Sequence, residues 1–463
     1  MTNININLPS QVTELLNRLN AYSYKAYIAG RCVRELLSGQ GGNENSVDYD
    51  IITNADIDRV HAIFEIYSLN IDNIENGEVI VNVAGVPVLI APYKKAIKPD
   101  GKPIYTDVLE EDLRRRDFSF NAIAYNPREG FVDPFGGITA LSGELGVVEV
   151  IADNSGDSED PDAEPITAFE RNPVSILQAL GYYSSGEYLI SERTKNLMNR
   201  HKECLSEISQ TDLRTELSWV LRGKKVSAVL EEYSEVITVL FPEFETLKGF
   251  DLKRPEHSFD ALTHTFKSVG YASPILLLRY ALLFHALGIP DCFSEDEDGK
   301  GNFHGHAERS WLYARKIMRR WSFSDDQIRE VGFLIKNQGI EVASDKRSLK
   351  LKLREMPPER LKMLLQFKYA DLRAKSPEFE GAAMICKRQV DTLNEIVTAK
   401  ECYTVQQLAV NRYDLMQKGM VKSDEQARVI LEKLLDMVTD APAFNTRMRL
   451  MNAAEKLLNN TRG

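Results

Sequence analysis

Cysteine, net positive charge and long apolar runs are all scarce in this chain of 463 residues. Five cysteines occur (Cys32, Cys204, Cys292, Cys386, Cys402), an odd number with no Cys-x-x-Cys pair. That pattern excludes a disulfide scaffold and a zinc ribbon, and it fits a reducing compartment. The formal charge of −11 excludes a globally basic nucleic-acid binder, although local basic faces remain open. The most apolar helix-like stretch, Pro274–Leu287, is interrupted by Arg279 and His285 and is too short to span a bilayer. The start of the chain, MTNININLPSQVTELLNRLN, has no basic segment followed by an apolar run. The expectation is therefore no signal peptide and a soluble, cytoplasmic protein without a membrane partner.

A hydrophobic content of 43% over this length supplies core for two to four domains, at ~100–200 residues each. Residues 1–150 alternate helix and strand signals. Helical spacing covers Gln11–Leu19. Lys25–Ala29 reads as a short buried strand, Cys32–Leu37 as a helix and Val47–Thr53 as a strand. Glu78–Val83 and Val86–Ala91 read as a hairpin closed by Ala84-Gly85, and Glu110–Ala124 as a helix. Asp153–Glu164 holds six acidic residues in twelve with no periodicity, the signature of a solvated linker. Beyond about residue 167 the pattern is almost wholly helical, including Val174–Tyr183, Thr211–Arg222, His306–Trp321, Pro358–Ala374 and Gln407–Gly419.

The sharpest local feature is Val47-Asp48-Tyr49-Asp50-Ile51-Ile52-Thr53. Residues two apart on a strand share a face, so Asp48 and Asp50 stand together. Two adjacent carboxylates repel unless a cation lies between them, and Mg²⁺ is the ordinary cation for carboxylates plus triphosphate oxygens. A solvated aspartate pair at a turn is the alternative. Upstream, Tyr27-Ile28-Ala29-Gly30-Arg31-Cys32-Val33-Arg34 reads as strand, glycine turn and helix start, where free N–H groups and two arginines suit phosphate. Downstream, Arg114-Arg115-Arg116-Asp117-Phe118-Ser119-Phe120-Asn121 offers cations for phosphates and Asp117 as an acceptor for ribose hydroxyls. Asp133-Pro134-Phe135-Gly136-Gly137 follows.

In this order, the segments resemble the class II tRNA nucleotidyltransferase (CCA-adding enzyme) and bacterial poly(A) polymerase family, whose pattern runs GGxVRDxLL, DxD, RRDFTxNA and DPxGG. The resemblance implies an α+β fold: a polymerase-β-like nucleotidyltransferase head, a mixed sheet with helices, followed by an all-α neck, body and tail. It implies that Asp48 and Asp50 are catalytic and hold Mg²⁺. Gly30, Arg31 and Arg34 would face the triphosphate, and Arg115, Arg116, Asp117 and Asn121 the nucleotide and its ribose. The reaction implied is attack of an RNA 3′-hydroxyl on the α-phosphate of CTP or ATP, with a tRNA or other RNA 3′ end as partner.

Three departures bear on that reading. The family's second glycine is Arg31. A third carboxylate, expected on the second hairpin strand, falls at Leu89, and Val79 to Pro99 contains no Asp or Glu. The family's base-selecting EDPxRxLR helix becomes Arg171-Asn172-Pro173-Val174-Ser175-Ile176-Leu177-Gln178, so its Asp is Asn172 and its base-reading Arg is Ser175. Nucleotide selection is therefore expected to be altered. The alternative is a catalytically impaired member that binds RNA or nucleotide.

Five of seven histidines fall at His257, His264, His285, His304 and His306. Their order resembles an HD-type phosphohydrolase domain, with His264, His285, His306 and Asp371 as the remaining site. The Asp of the His–Asp pair is Ala286, so hydrolysis is not expected. Packing residues in a vestigial domain are the expectation, with weak metal binding as the alternative. Basic runs at Arg222–Lys225, Arg315–Arg320 and Lys346–Arg354 are either RNA-backbone stripes or solvated faces. The expected division is head 1–152, acidic linker 153–165, helical neck 166–250, degenerate HD-type body 251–390 and helical tail 391–463.

Overall fold

The computed structural model of the chain describes residues 6–39, 48–70, 77–98, 101–153 and 166–459. Val47 and all but Asp153 of the expected acidic linker lie outside the described residues. The chain divides into two compact units, Met1–Leu240 and Phe241–Gly463.

The first unit is built on a seven-stranded mixed sheet in the order β3-β4-β5-β2-β1-β8-β9. Its opening elements are α1 (Ser10–Ala21), β1 (Ala26–Ala29), α2 (Arg31–Ser38), β2 (Tyr49–Thr53), α3 (Ile57–Phe64), β3 (Ser68–Asn70), β4 (Val79–Val83) and β5 (Val86–Pro92). A small ribbon follows, β6 (Lys94–Ile97) with β7 (Pro103–Tyr105), then α4 (Leu109–Arg114), β8 (Ala124–Asn126) and β9 (Gly130–Val132). The β2–β5 pair is parallel, while β1 runs antiparallel to both β2 and β8. Alternation along β2 decides what each face does. Tyr49 and Ile51 join the core that α1 and α3 cover with Leu15, Leu16, Leu19, Val60 and Phe64. Asp50 and Ile52 face the other way, where Ile52 packs with Tyr27, Tyr93, Leu109 and Leu113. Full burial of each large aliphatic or aromatic side chain contributes roughly 1.5–3 kcal/mol. The sheet thus rests on one core and presents its opposite face to the site.

The β4–β5 hairpin forms as expected. Ala84 and Gly85 both take positive φ (50° and 86°), which a tight two-residue turn requires. The helix expected at Glu110–Ala124 does not persist. It ends at Arg114, because Asp117 Oδ1 accepts the Phe118 N–H and the backbone then pairs with 149–151. Ser119–Asn121 form a single 3₁₀ turn before β8.

The rest of this unit is mainly helical: α5 (Gly137–Leu141), α6 (Ala168–Arg171), α7 (Val174–Ser185), α8 (Glu192–His201), α9 (Gln210–Arg222), α10 (Val226–Glu232) and α11 (Ser234–Leu240). Short strands β10 (Gly146–Val148), β11 (Ala152–Asp153), β12 (Ile166–Thr167) and β13 (Tyr188–Ile190) lie between them; β10 pairs with β13 and β11 with β12. A capping box between Thr167 and Glu170 starts α6. Helices α7 and α9 pack closely, since a Cβ on Gly181 would lie inside the Trp219 ring contact.

The second unit is helical apart from one ribbon, β14 (Ser294–Glu295) with β15 (Gly301–Asn302). Its helices are α12 (Ala261–Tyr271), α13 (Leu276–Phe284), α14 (His306–Arg320), α15 (Asp325–Lys336), α16 (Lys346–Glu355), α17 (Pro358–Arg373) and α18 (Glu380–Thr398). Three more close the chain: α19 (Arg412–Gln417), α20 (Asp424–Asp440) and α21 (Arg447–Asn459). Phe241 stacks on Trp321 at 4.5 Å between ring centroids and meets Phe244 and Phe284 at the centre of the body. A separate core of Leu415, Leu431, Leu434, Val438 and Leu450 holds the last three helices. The helix expected at Gln407–Gly419 is shorter, because the Asn411 side chain accepts from the N–H groups of Tyr413 and Asp414 and sets the start at Arg412. Among the described residues, no helix is long and apolar enough to cross a membrane.

Candidate active site

A cleft of about 770 Å³ opens in the first unit, over the face of the sheet that carries Asp50. Its floor is β2 and β5, where Asp50 stands directly across from Leu89 in register. Burial pushes the Asp50 carboxyl up to about 6; Arg116 opposes this, and Glu78 and Asp48 reinforce it. A carboxylate so disfavoured suits a divalent cation, whose charge would restore the ionised form. Asp48, one residue before β2, is exposed and does not line the cleft, although its charge acts on both Asp50 and Arg31. Of the pair, Asp50 is thus the one on the cleft floor.

Gly30 takes φ +83° between β1 and α2, and a Cβ there would meet Arg116 Nη1 at 2.4 Å. Glycine at this position lets the Arg116 guanidinium approach the backbone. Arg31 lines the cleft, and its Nε donates to Glu35 Oε1 at 2.5 Å. Arg34 also lines the cleft, and it makes contacts to other parts of the unit as well. Its guanidinium is buried, with Nη1 donating to Asn121 Oδ1 (2.6 Å) and to the Tyr182 hydroxyl (2.5 Å). It also lies over the rings of Phe120 and Tyr182, at 5.6 and 5.1 Å. Asn121 passes this contact on, donating through Nδ2 to Asp117 Oδ1 at 2.8 Å. Arg34 is thus a strut from α2 to α7 that also orients Asn121 and Asp117.

Arg115 and Arg116 converge on buried Asp112, at 3.7 and 3.3 Å, and Asp112 also accepts the Lys94 N–H. Burial lowers the Arg115 pKa. The Nε atoms of Arg115 and Arg116 are buried without a hydrogen-bond partner among the described residues. Partly desolvated guanidinium donors with unmet bonds are a fitting environment for phosphate oxygens. Asp117 and Asn121 line the cleft beside them.

The base-selecting positions separate. Asn172 is exposed and lines the cleft, whereas Ser175 is fully buried and its Oγ donates to the Asn172 carbonyl at 2.6 Å. The first turn of α7 consumes the serine hydroxyl, so the structure does not bring Ser175 to the cleft.

Lining residues that the sequence did not point to include Glu78, Gln178, Glu216 and Trp219. Glu78 precedes β4 by one residue and shares a face with Ile80, the register partner of Leu89. Its Oε1 pairs with the buried Lys94 Nζ at 2.6 Å. Glu78 opens the expected strand Glu78–Val83, so alternation within that strand was the available signal. Gln178 stands one turn after Ser175, and Glu216 with Trp219 one turn apart on α9, so helical spacing was the available signal.

In the second unit His264, His285, His306 and Asp371 line a separate cavity of about 260 Å³, together with His257 and Lys375. His264 Nε2 and His285 Nε2 lie 3.0 and 3.5 Å from Asp371 Oδ1. One ligand atom from each of His264, His285 and Asp371 lies within 4.8 Å of the others. The Nδ1 atoms of His264, His285 and His306 face the carbonyls of Ala374, Leu282 and Phe303, which requires Nδ1–H donors. Burial pushes the Asp371 carboxyl up, but Lys375 and the two histidines outweigh it and hold it well below the usual range. Ala286 is fully buried.

The run Lys346–Arg354 is committed internally. Lys346 and Lys350 pair with Glu401, Arg347 with Asp440, Lys352 with Glu355 and Arg354 with Asp436. Lys350 is buried, and it also reaches the Thr439 carbonyl. Lys350 is therefore a buried contact between α16 and the tail, whereas Lys346 and Arg347 are exposed and pair with acids at the surface. Arg315, Lys316 and Arg319 are exposed on α14.

Comparison with known proteins agrees with this geometry. Residues 26–145 match the Poly A polymerase head domain. The CCA-adding enzyme of Bacillus licheniformis is 27% identical over 241 residues, 51% of this chain and 55% of that protein. That of Geobacillus thermodenitrificans is 25% identical over 334 residues, 70% of this chain and 69% of that protein. The match thus spans little more than half the length of the first of these relatives. Among solved structures, the Bacillus stearothermophilus CCA-adding enzyme in complex with CTP aligns with TM-score 0.63 at 21% identity, covering 98% of both chains. The Thermotoga maritima CCA-adding enzyme complexed with tRNA aligns with TM-score 0.57 at 19% identity, covering 96% of this chain and 94% of that one. These two likenesses establish the α+β head and helical remainder as a shared fold. Residues 26–145 thus match a Poly A polymerase head domain, and the chain is similar over part of its length to CCA-adding enzymes.

Proposed function

We propose that the protein is a cytoplasmic RNA 3′-terminal nucleotidyltransferase that adds C, A or both to tRNA 3′ ends from CTP and ATP with Mg²⁺. The observation that carries this reading is the gathering of Asp50, Arg115, Arg116, Asp117 and Asn121 in one cleft. The relatives' identity as CCA-adding enzymes, and solved neighbours bound to CTP and tRNA, support the same substrates.

Asp48 and Asp50 would hold the cation, which when bound lowers the pKa of the attacking hydroxyl and neutralises the leaving pyrophosphate. Arg115 and Arg116 hold phosphate oxygens, and Asp117 accepts from the ribose hydroxyls. The RNA 3′-oxygen forms a bond to the α-phosphorus, the bond from that phosphorus to the β-phosphate bridging oxygen breaks to release pyrophosphate, and the 3′-hydroxyl proton passes to water. An impaired family member is the second reading, favoured by Leu89 standing beside Asp50 where a carboxylate is expected. Incubation with tRNA ending at the discriminator base, labelled CTP or ATP and Mg²⁺ separates the two. Extension that vanishes in Asp50→Asn supports transfer; nucleotide binding without extension supports the impaired form.

In the helical unit, His264, His285 and Asp371 would hold a first-row divalent cation, with His306 beside them. The inward-facing Nε2 atoms support this reading, since imidazole and carboxylate together suit such ions.

A further inference from the structure

The sequence departs from its family at both base-reading positions, and Ser175 is turned into its own helix. Some other part of the cleft wall must face the base if nucleotides are to be distinguished. Gln178 and Tyr182 of α7 and Glu216 and Trp219 of α9 make one part of that wall. Gln178 Nε2 donates there to Glu216 Oε1 at 3.2 Å, which fixes the orientation of the amide. Beside them, Trp219 meets Tyr182 edge to face at 4.9 Å, and its position is set by the close approach at Gly181.

Electrostatics decides which end of a nucleotide belongs at this wall. A carboxylate repels a triphosphate, and the phosphate-binding donors lie on the head side at Arg115 and Arg116. The neutral base is therefore the part that reaches Glu216, with the Trp219 ring as an apolar surface beside it. Glu216 is half-buried, its hydrogen-bond partner is the neutral Gln178, and burial raises its pKa. It therefore has capacity for a further donor.

We propose that Glu216 and Gln178 together read the amino-bearing edge of the incoming base, favouring adenine and cytosine over uracil. This rests on the proposed nucleotidyltransferase function. The exocyclic amino group of either base donates to the Glu216 carboxylate. The adjacent ring nitrogen, an acceptor in both, takes the second N–H of the Gln178 amide. Uracil presents a carbonyl oxygen where the amino group would be and an N–H where the acceptor would be. It meets the carboxylate acceptor to acceptor and the amide donor to donor.

The test uses the full-length protein with Mg²⁺ and equilibrium binding of labelled ATP, CTP and UTP. Wild type is expected to bind ATP and CTP on the order of tenfold tighter than UTP, the range of one good base contact. Glu216→Gln, which keeps the shape, should erase most of that preference by weakening ATP and CTP. Gln178→Ala should reduce it in part. Thr215→Ala, exposed on the same helix, serves as the control and should keep it. Retention of the wild-type ratio in both Glu216→Gln and Gln178→Ala would overturn the inference. Equal binding of all three nucleotides by wild type would also overturn it, while leaving the proposed transfer reaction standing. Failure of wild type to bind any of them would remove both.

Discussion

Replacing Arg34 and Arg115 separately by methionine distinguishes two arginines that sequence alone treats alike. Arg34 Nη1 makes two hydrogen bonds, at 2.6 and 2.5 Å, and the guanidinium lies over two aromatic rings. Hydrogen bonds from a charged group contribute about 1.5–3 kcal/mol each, and a desolvated cation–π contact about 0.5–2 kcal/mol. Against this stands the cost of burying the cation, with its Nε left without a partner. The balance predicts a loss of about 2–4 kcal/mol for Arg34→Met, because Asn121 Oδ1 and the Tyr182 hydroxyl lose their donor. For a unit of this size that lowers Tm by roughly 5–10 °C. Arg115 has the opposite profile: a desolvated guanidinium whose nearest acid is shared and 3.7 Å away. Arg115→Met should change stability by no more than about 1 kcal/mol, yet weaken triphosphate binding about tenfold or more. Urea unfolding followed by circular dichroism reads the first quantity, with the first unit's transition identified as the one that added nucleotide shifts. Equilibrium nucleotide binding reads the second. Equal destabilisation by both substitutions, or a large binding loss confined to a well-folded Arg34→Met, would refute this division of roles.

Other predictions follow from single positions. Gly30→Ala should destabilise the first unit by about 1–3 kcal/mol, since it combines positive φ with a clash against Arg116; an unchanged midpoint in urea contradicts this. Glu78→Gln should cost about 1–3 kcal/mol by leaving buried Lys94 without its counter-charge, and Lys94→Met in the same background should recover part of the loss. Lys350→Met should loosen the tail, seen as faster hydrogen exchange in α20, with little effect on RNA affinity; a large RNA-binding loss in a folded variant would restore the stripe reading of 346–354. Elemental analysis of protein purified without chelator should find a divalent metal near one equivalent, lost in His285→Ala; metal content unchanged by that substitution counts against the cavity site.

The local rules visible in the sequence were those that became the head. Alternation in Tyr49–Thr53 put Asp50 on the face opposite the Ile51 core, and Ala84-Gly85 supplied the two positive-φ positions of the hairpin turn. What stayed hidden depended on partners far along the chain. Arg34 looks like a phosphate ligand in one dimension, but its guanidinium also donates to Tyr182, 148 positions away. The cations of 346–354 look like a free surface until acids of α20 pair with Arg347 and Arg354, and Glu401 with Lys350. Ser175 aligned with a base reader, yet a hydroxyl in the first turn of a helix finds its nearest acceptor in the preceding backbone. Glu78 was the first residue of the expected strand, but only the register of β4 against β5 shows that it reaches the cleft.

The most direct measurement is the 3′-terminal sequence of a tRNA transcript ending at the discriminator base, read after incubation with the protein, CTP, ATP and Mg²⁺. The account predicts a short, defined addition of C, A or both that is absent with Asp50→Asn of normal stability. An unextended 3′ end in the presence of protein that binds both nucleotide and tRNA would contradict it.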